Sequence, residues 1–106
     1  MADFMGLMKQ AAQLQSKMQA LQAELDLIEV EGTAGGGMVN VRLTAKGELK
    51  GVKIDDSLLS TAEKDVLEDL LVAAHADARR KAEAVMQDKM KSLTGGLPLP
   101  PGMNLT

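Results

Sequence analysis

The side chains that could do chemistry are few, and their spacing assembles no reaction centre. Nucleophilic catalysis needs a nucleophile held beside a base, and His75, the one histidine, sits in an alanine-rich segment with Arg79 as its neighbour one helical turn on. It is expected to be a partly buried helix residue without a catalytic task. A single histidine and no cysteine cannot build a zinc cluster, so neither metal nor cofactor is expected. Glu68 and Asp69 are adjacent and point in different directions, while Asp65 and Asp69, one turn apart, suit a solvated helix start better than an acid pair. Gly35-Gly36-Gly37 is followed by Met38 and lies between two strand-like runs, so it reads as a turn rather than a phosphate loop, which would join a strand to a helix. The residues argue for a non-enzymatic role.

Binding is the better prospect, and Arg79-Arg80-Lys81 is where it would lie. Asp77 can pair with Lys81 and Arg79 with Glu83 at one-turn spacing, which would make the run a solvated helix face. Arg80 differs, because Ala76 and Ala84 flank it at four residues while Gln87 and Lys91 fall within about 20° of it around a helix. Arg80, Gln87 and Lys91 are thus expected to form an unencumbered stripe, open either to solvent or to phosphates. The net charge of −3 is unpromising for a polyanion, yet it is unevenly spread. An acidic block (Asp55, Asp56, Glu63, Asp65, Glu68, Asp69) separates a basic segment over residues 40–53 from a second basic zone, over residues 77–106, on the second helix.

Those residues have to be held by helices and a sheet. Phe4, Leu7, Ala11, Leu14, Met18, Leu21, Leu25 and Ile28 alternate spacings of three and four, a heptad seam on a helix from Ala2 to about Ile28. Such a helix would be roughly 40 Å long at about 1.5 Å per residue, against a radius of gyration of about 13 Å for a domain of this size. Part of it must overhang its globule or lie along another chain. Glu29–Ala34 then reads as a short edge strand. Met38–Thr44 places Val39, Val41 and Leu43 on one face and Asn40, Arg42 and Thr44 on the other. Ala45-Lys46-Gly47 connects to a return strand, Glu48–Ile54, with Val52 and Ile54 inward and Leu49 on the opposite face, which leaves room for either a bulge or a second contact surface. Ser60 and Glu63 have the spacing of a capping box. From there Leu67, Leu70, Leu71, Ala74, Ala78, Ala82, Val85, Met86, Met90 and Leu93 keep one helical face buried until Gly95-Gly96. Residues 1–96 make one domain, and 97–106 a proline-rich extended tail.

The chain's 106 residues leave room for one small core, so oligomerisation is expected to bury the rest. With Phe4 as the one aromatic and eight methionines, the core is aliphatic and base stacking is nearly excluded. The absence of cysteine suits a reducing cytosol. Neither a signal peptide nor a membrane span is expected, and the protein should be cytoplasmic.

Nearly the whole chain resembles the YbaB/EbfC family of bacterial nucleoid-associated proteins. The resemblance is carried by Met8-Lys9-Gln10-Ala11 and Lys17-Met18-Gln19, by Glu29-Val30-Glu31-Gly32 with Ala34-Gly35-Gly36-Gly37, and by Ile54-Asp55 with Ser57-Leu58-Leu59. Further on it takes in Leu67-Glu68-Asp69-Leu70, Ala73-Ala74, Asp77-Ala78 and Leu97 with Leu99-Pro100-Pro101-Gly102, the order and spacing being specific where no single motif is. It implies an α+β homodimer with projecting helices that binds duplex DNA in nucleoid organisation or gene expression, without catalysis. Phosphate contacts are then expected from Lys9, Lys17, Arg79, Arg80, Lys81, Gln87 and Lys91. The dimer interface is expected at Leu7, Leu14, Met18, Leu21, Val39, Val41 and Leu43. The rival reading is a protein-interaction module, its glutamine-rich helix binding a recombination or replication protein.

Overall fold

The computed structural model describes residues 2–94. A first helix, α1 (Ala2–Leu27), leads into three strands, β1 (Glu29–Ala34), β2 (Val39–Thr44) and β3 (Leu49–Ile54), and a second helix, α2 (Lys64–Thr94), follows two single 3-10 turns. The strands pair antiparallel in the order β1-β2-β3. This is the α+β helix–sheet–helix arrangement expected from the sequence. Gly95-Gly96 and the tail at 97–106 lie outside the described residues.

Local chemistry explains each connection. Gly35, Gly36 and Gly37 all take positive φ, between 65° and 95°, where a side chain would clash with its own backbone. They bring Met38 N–H back to the Gly35 carbonyl and join β1 to β2. At the second hairpin, Thr44 N–H donates to the Glu48 carbonyl (2.8 Å) and Glu48 N–H donates to the Thr44 hydroxyl (3.2 Å), so the buried Thr44 is satisfied without water. Arg42 opposes Gly51 but Leu43 opposes Leu49, so Lys50 is the extra residue of a bulge. The bulge returns Leu49 to the same face as Leu43, correcting the expectation that Leu49 lies opposite.

The core is the helix-facing side of β1 and β2 against α2. Val39, Val41, Leu43, Leu58, Ala74 and Ala78 form it, with Val30, Ala34, Met38, Ile54, Leu67, Leu70 and Leu71 packed around. Alanines on the buried face of α2 let the helix approach the sheet closely, and Gly32 of β1 completes the contact. A Cβ on Gly32 would stand 2.2 Å from both the Ala74 carbonyl oxygen and the Ala78 nitrogen. The sheet is not fully covered: α2 packs against β1 and β2, which leaves β3 as a second edge. Val52 pairs with Val41 yet stays 43% exposed, and Leu49 57%. The inward Val52 expected from alternation is therefore only half right, because no helix lies over it.

One further expectation fails for a local reason. The start of α2 is not a capping box, since the Ser60 side chain makes no capping hydrogen bond and Glu63 N–H is taken by the Ser60 backbone carbonyl at 3.0 Å. The chain enters the helix through a 3-10 turn, which satisfies the amide that the side chain would have reached. Asp55 does the capping one turn earlier, accepting from Ser57 N–H at 3.1 Å. The Ser57 hydroxyl also donates to it, and these bonds hold its carboxyl below its ordinary value.

The molecule spans 73 Å by 28 Å by 15 Å, and α1 accounts for the length. Leu25 is buried and Leu21 half-buried where α1 meets α2, whereas Phe4, Leu7, Leu14 and Met18 are exposed. Lys89 of α2 is hydrogen-bonded to Glu24, and Lys17, Ala20, Leu21 and Glu24 share a cleft with Lys89 and Ser92. The helices run in opposite directions there, so α1 from Phe4 to about Ser16 projects past the end of the described α2.

Candidate nucleic-acid interface

Arg79, Arg80 and Lys81 occupy α2 where it crosses β1, and an acidic partner fixes how each is used. Asp77 is the hub. Its carboxylate accepts from Thr33 N–H on the outer edge of β1 (3.0 Å) and sits 3.2 Å from both Arg80 Nη2 and Lys81 Nζ. Lys81 also donates to the Glu31 carbonyl at 2.8 Å, so it ties helix to strand. Arg79 pairs with Glu83 at 3.6 Å. The pairs Asp77–Lys81 and Arg79–Glu83 are those legible from one-turn spacing, but Arg80 is not unencumbered. Its partner lies three residues back rather than four, a spacing that helix geometry allows equally.

The Arg80–Asp77 contact does not bury the guanidinium, whose side chain is 70% exposed. Arg80, Gln87 and Lys91 are all exposed on α2, on the side away from Ala74, Ala78 and Ala82. About 16 Å separates Arg80 from Lys91 along the axis. His75 is exposed as well, not partly buried as expected, because Ala74 and Ala78 face the sheet in its place. Lys9 and Lys17 are exposed on α1. Of these two, Lys17 is brought beside Lys89 in a cleft of about 420 Å³, a proximity no spacing within either helix could show.

The sheet adds cations outside the residues singled out from sequence. On the face turned from α2, Arg42 bridges to Glu29 at 3.3 Å and lies over Gly51, where a Cβ would come within 2.3 Å of its guanidinium. Asn40, Arg42 and Lys53 line a depression of about 300 Å³ with Glu31 and Val52. The positive charge of residues 40–53 is the signal that could have found them, and strand alternation predicts which side it falls on.

Val39, Val41 and Leu43 cannot serve an interface between chains. Each is at most 1% exposed within a single chain, because α2 already covers that face of β2. Apolar side chains left for a partner include Leu49 and Val52 of β3, Leu59, Leu27, Val72 and the projecting part of α1.

The hydrogen bonds to Asp77 have a consequence for stability. The Thr33 amide first, then Lys81, hold its carboxyl below the ordinary 3.8 against the opposing effect of desolvation. A carboxyl lowered on folding stabilises the fold above its unfolded value and loses that contribution as pH falls through the lower, folded value. Asp77→Asn should therefore lower the denaturation midpoint at neutral pH and lose less stability than the wild type between pH 5 and pH 2, which a series of denaturant melts would read.

Among the described residues, no group of three or more histidines, cysteines or carboxylates is placed to hold a metal, and no helix is long and apolar enough to cross a membrane. Fold and surface together define a small α+β scaffold that displays its charge along helices. The chain belongs to the YbaB/EbfC DNA-binding family, whose model matches residues 1–97. It is 72% identical to a "Nucleoid-associated protein" of Rhodopseudomonas palustris strain BisB5 over 99% of each chain. A protein of the same name from Nitrobacter hamburgensis is 65% identical, again over 99% of each. The crystal structure of the uncharacterized protein HP0035 from Helicobacter pylori shares the fold, with a TM-score of 0.76 and 26% identity over 84% of this chain and 94% of that one.

Proposed function

We propose that the protein binds duplex DNA as a homodimer, largely through phosphates, and acts in nucleoid organisation or regulation of gene expression. The observation that carries this reading is the exposed line of Arg80, Gln87 and Lys91 on the solvent side of α2, in a chain of a DNA-binding family. Guanidinium and ammonium groups spaced along a helix meet phosphates without reading bases. With Phe4 as the one aromatic residue, there is little to stack on bases. Lys9 and Lys17 extend the cationic surface along α1, and Arg79 contributes beside Arg80. Lys81 acts mainly by anchoring α2 to β1. The names of the relatives support a nucleoid location in the cytoplasm.

Fluorescence anisotropy of a labelled duplex of arbitrary sequence, titrated from low to physiological salt, tests the reading. Affinity should fall linearly in log salt, by about 0.9 per phosphate contact in the slope. Absence of binding at low salt would reject it.

The dimer is proposed across β3, where an unpaired strand edge coincides with exposed Leu49, Val52 and Leu59. An uncovered edge with apolar side chains is a template for a second strand. Leu7 and Leu14, assigned to the same interface from their heptad spacing, lie on the projecting arm, Leu7 about 30 Å along α1 from the sheet. Replacing Leu49 and Val52 together by lysine should give a folded monomer by sedimentation equilibrium. A dimer that survives the change would move the interface elsewhere.

A further inference from the structure

The projecting part of α1 carries an apolar stripe that none of the other described elements covers. Phe4 is 66% exposed and Leu7 62%. Further along, Ala11, Leu14, Gln15, Met18, Gln19 and Gln22 line an open groove of about 400 Å³. Its walls are uncharged. The basic residues lie off this stripe: Lys9 is on the opposite side of the helix and Lys17 on its flank, about 180° and 100° from Met18 at 100° per residue.

We propose that this groove is the docking site of the chain's own C-terminal segment, Leu97 to Leu105. The first argument is where α2 leaves the described structure. Ser92 shares a cleft with Lys17 and Leu21, so the chain passes residue 94 beside the middle of its own α1 while heading toward the N-terminal end of that helix. The second is length. From Met18 to Phe4 the helix covers about 21 Å, and nine residues in the polyproline conformation that Leu97-Pro98-Leu99-Pro100-Pro101 favours cover about 28 Å. Two glycines, Gly95-Gly96, stand in the sequence between α2 and this segment, residue types that permit the turn this docking requires.

The third argument is chemical match. Residues 95–106 contain no charged side chain, and a polyproline segment leaves its carbonyls without internal hydrogen bonds. Gln15, Gln19 and Gln22 present amide donors along the groove, while Leu97 and Leu99 offer the apolar contacts. A second copy of α1 fits less well. Coiled-coil partners are selected by charges flanking the seam, and here one flank is Met8, Gln15 and Gln22.

The chain has no cysteine, so introduced thiols report proximity without background. Gln15→Cys with Leu99→Cys places one thiol on the groove. Gln13→Cys with Leu99→Cys places it about 160° away around the same helix. With copper–phenanthroline as oxidant, non-reducing electrophoresis should show intrachain disulfide in the Gln15 pair forming about ten times faster than in the Gln13 pair, the ratio expected for roughly 1.4 kcal/mol of docking. Equal rates, or no disulfide in either, would overturn the proposal. Disulfide-linked dimers from mixed chains carrying Gln15→Cys and Leu99→Cys singly, forming as fast as the intrachain product, would assign the groove to another copy and overturn it too.

Discussion

Gly32→Ala is expected to cost about 3 kcal/mol, the upper end of what overpacking a core usually costs. The added Cβ would meet the Ala74 carbonyl oxygen and the Ala78 nitrogen at 2.2 Å and the Ala78 Cα at 2.7 Å. All three are backbone atoms of a continuous helix, so no rotamer change can relieve them, and β1 would have to lift from α2. Lifting β1 also strains the bonds from Thr33 N–H to Asp77 and from Lys81 to the Glu31 carbonyl. In a chain of this size, 1 kcal/mol moves the melting midpoint by about 4–8 °C, so the variant should melt at least about 12 °C lower. Gly6→Ala is the matched control. Nothing lies within 4 Å of its added Cβ, and alanine in an exposed helix should stabilise by up to about 1 kcal/mol. Equal melting of the two variants would mean that α2 does not rest on β1 at this point.

Arg80→Glu with Lys91→Glu should reduce affinity for duplex DNA about a hundredfold or more at physiological salt while leaving the fold intact. Reversing two cations per chain takes four from the dimer's phosphate-facing surface. The slope of log affinity against log salt should therefore flatten by about 3.6 units at about 0.9 per phosphate. Arg80→Glu also places a carboxylate beside the half-buried Asp77, which weakens the local pairing, yet Arg80 and Lys91 are exposed and the helix core of Ala74, Ala78 and Ala82 is untouched. Circular dichroism should be unchanged. If affinity and slope both stay at their wild-type values, these residues do not face the DNA, and the sheet cations Arg42 and Lys53 become the next to reverse. Loss that is uniform across duplex sequences identifies phosphate contacts; loss confined to one sequence would indicate base readout.

The strands are legible in the sequence because their neighbours along the chain are their neighbours in space. Val39, Val41 and Leu43 alternate with Asn40 and Arg42, and glycines mark both hairpins. The pairs Asp77–Lys81 and Arg79–Glu83 are readable for the same reason, being one turn apart on one helix. The capping box fails because backbone and side chain compete for the same amide, and the 3-10 geometry that decides between them leaves no mark in residue type. An interface on Val39, Val41 and Leu43 fails because alternation reports that one side of a strand is buried without reporting what buries it.

Sequence alone determined the element order, the turn positions and the basic run Arg79-Arg80-Lys81 on α2, all of which depend on contacts within a few residues or on composition. Only the tertiary structure decided that α2 covers β1 and β2 but not β3. That outcome rests on Gly32 and the alanines of α2, whose lack of bulk matters only once the two elements meet. It consumes Val39, Val41 and Leu43 within the chain, exposes Leu49 and Val52, and makes Asp77 the link between a helix and a strand edge 44 residues away in sequence. Contacts between distant residues depend on how surfaces fit, and no short window of sequence contains both surfaces.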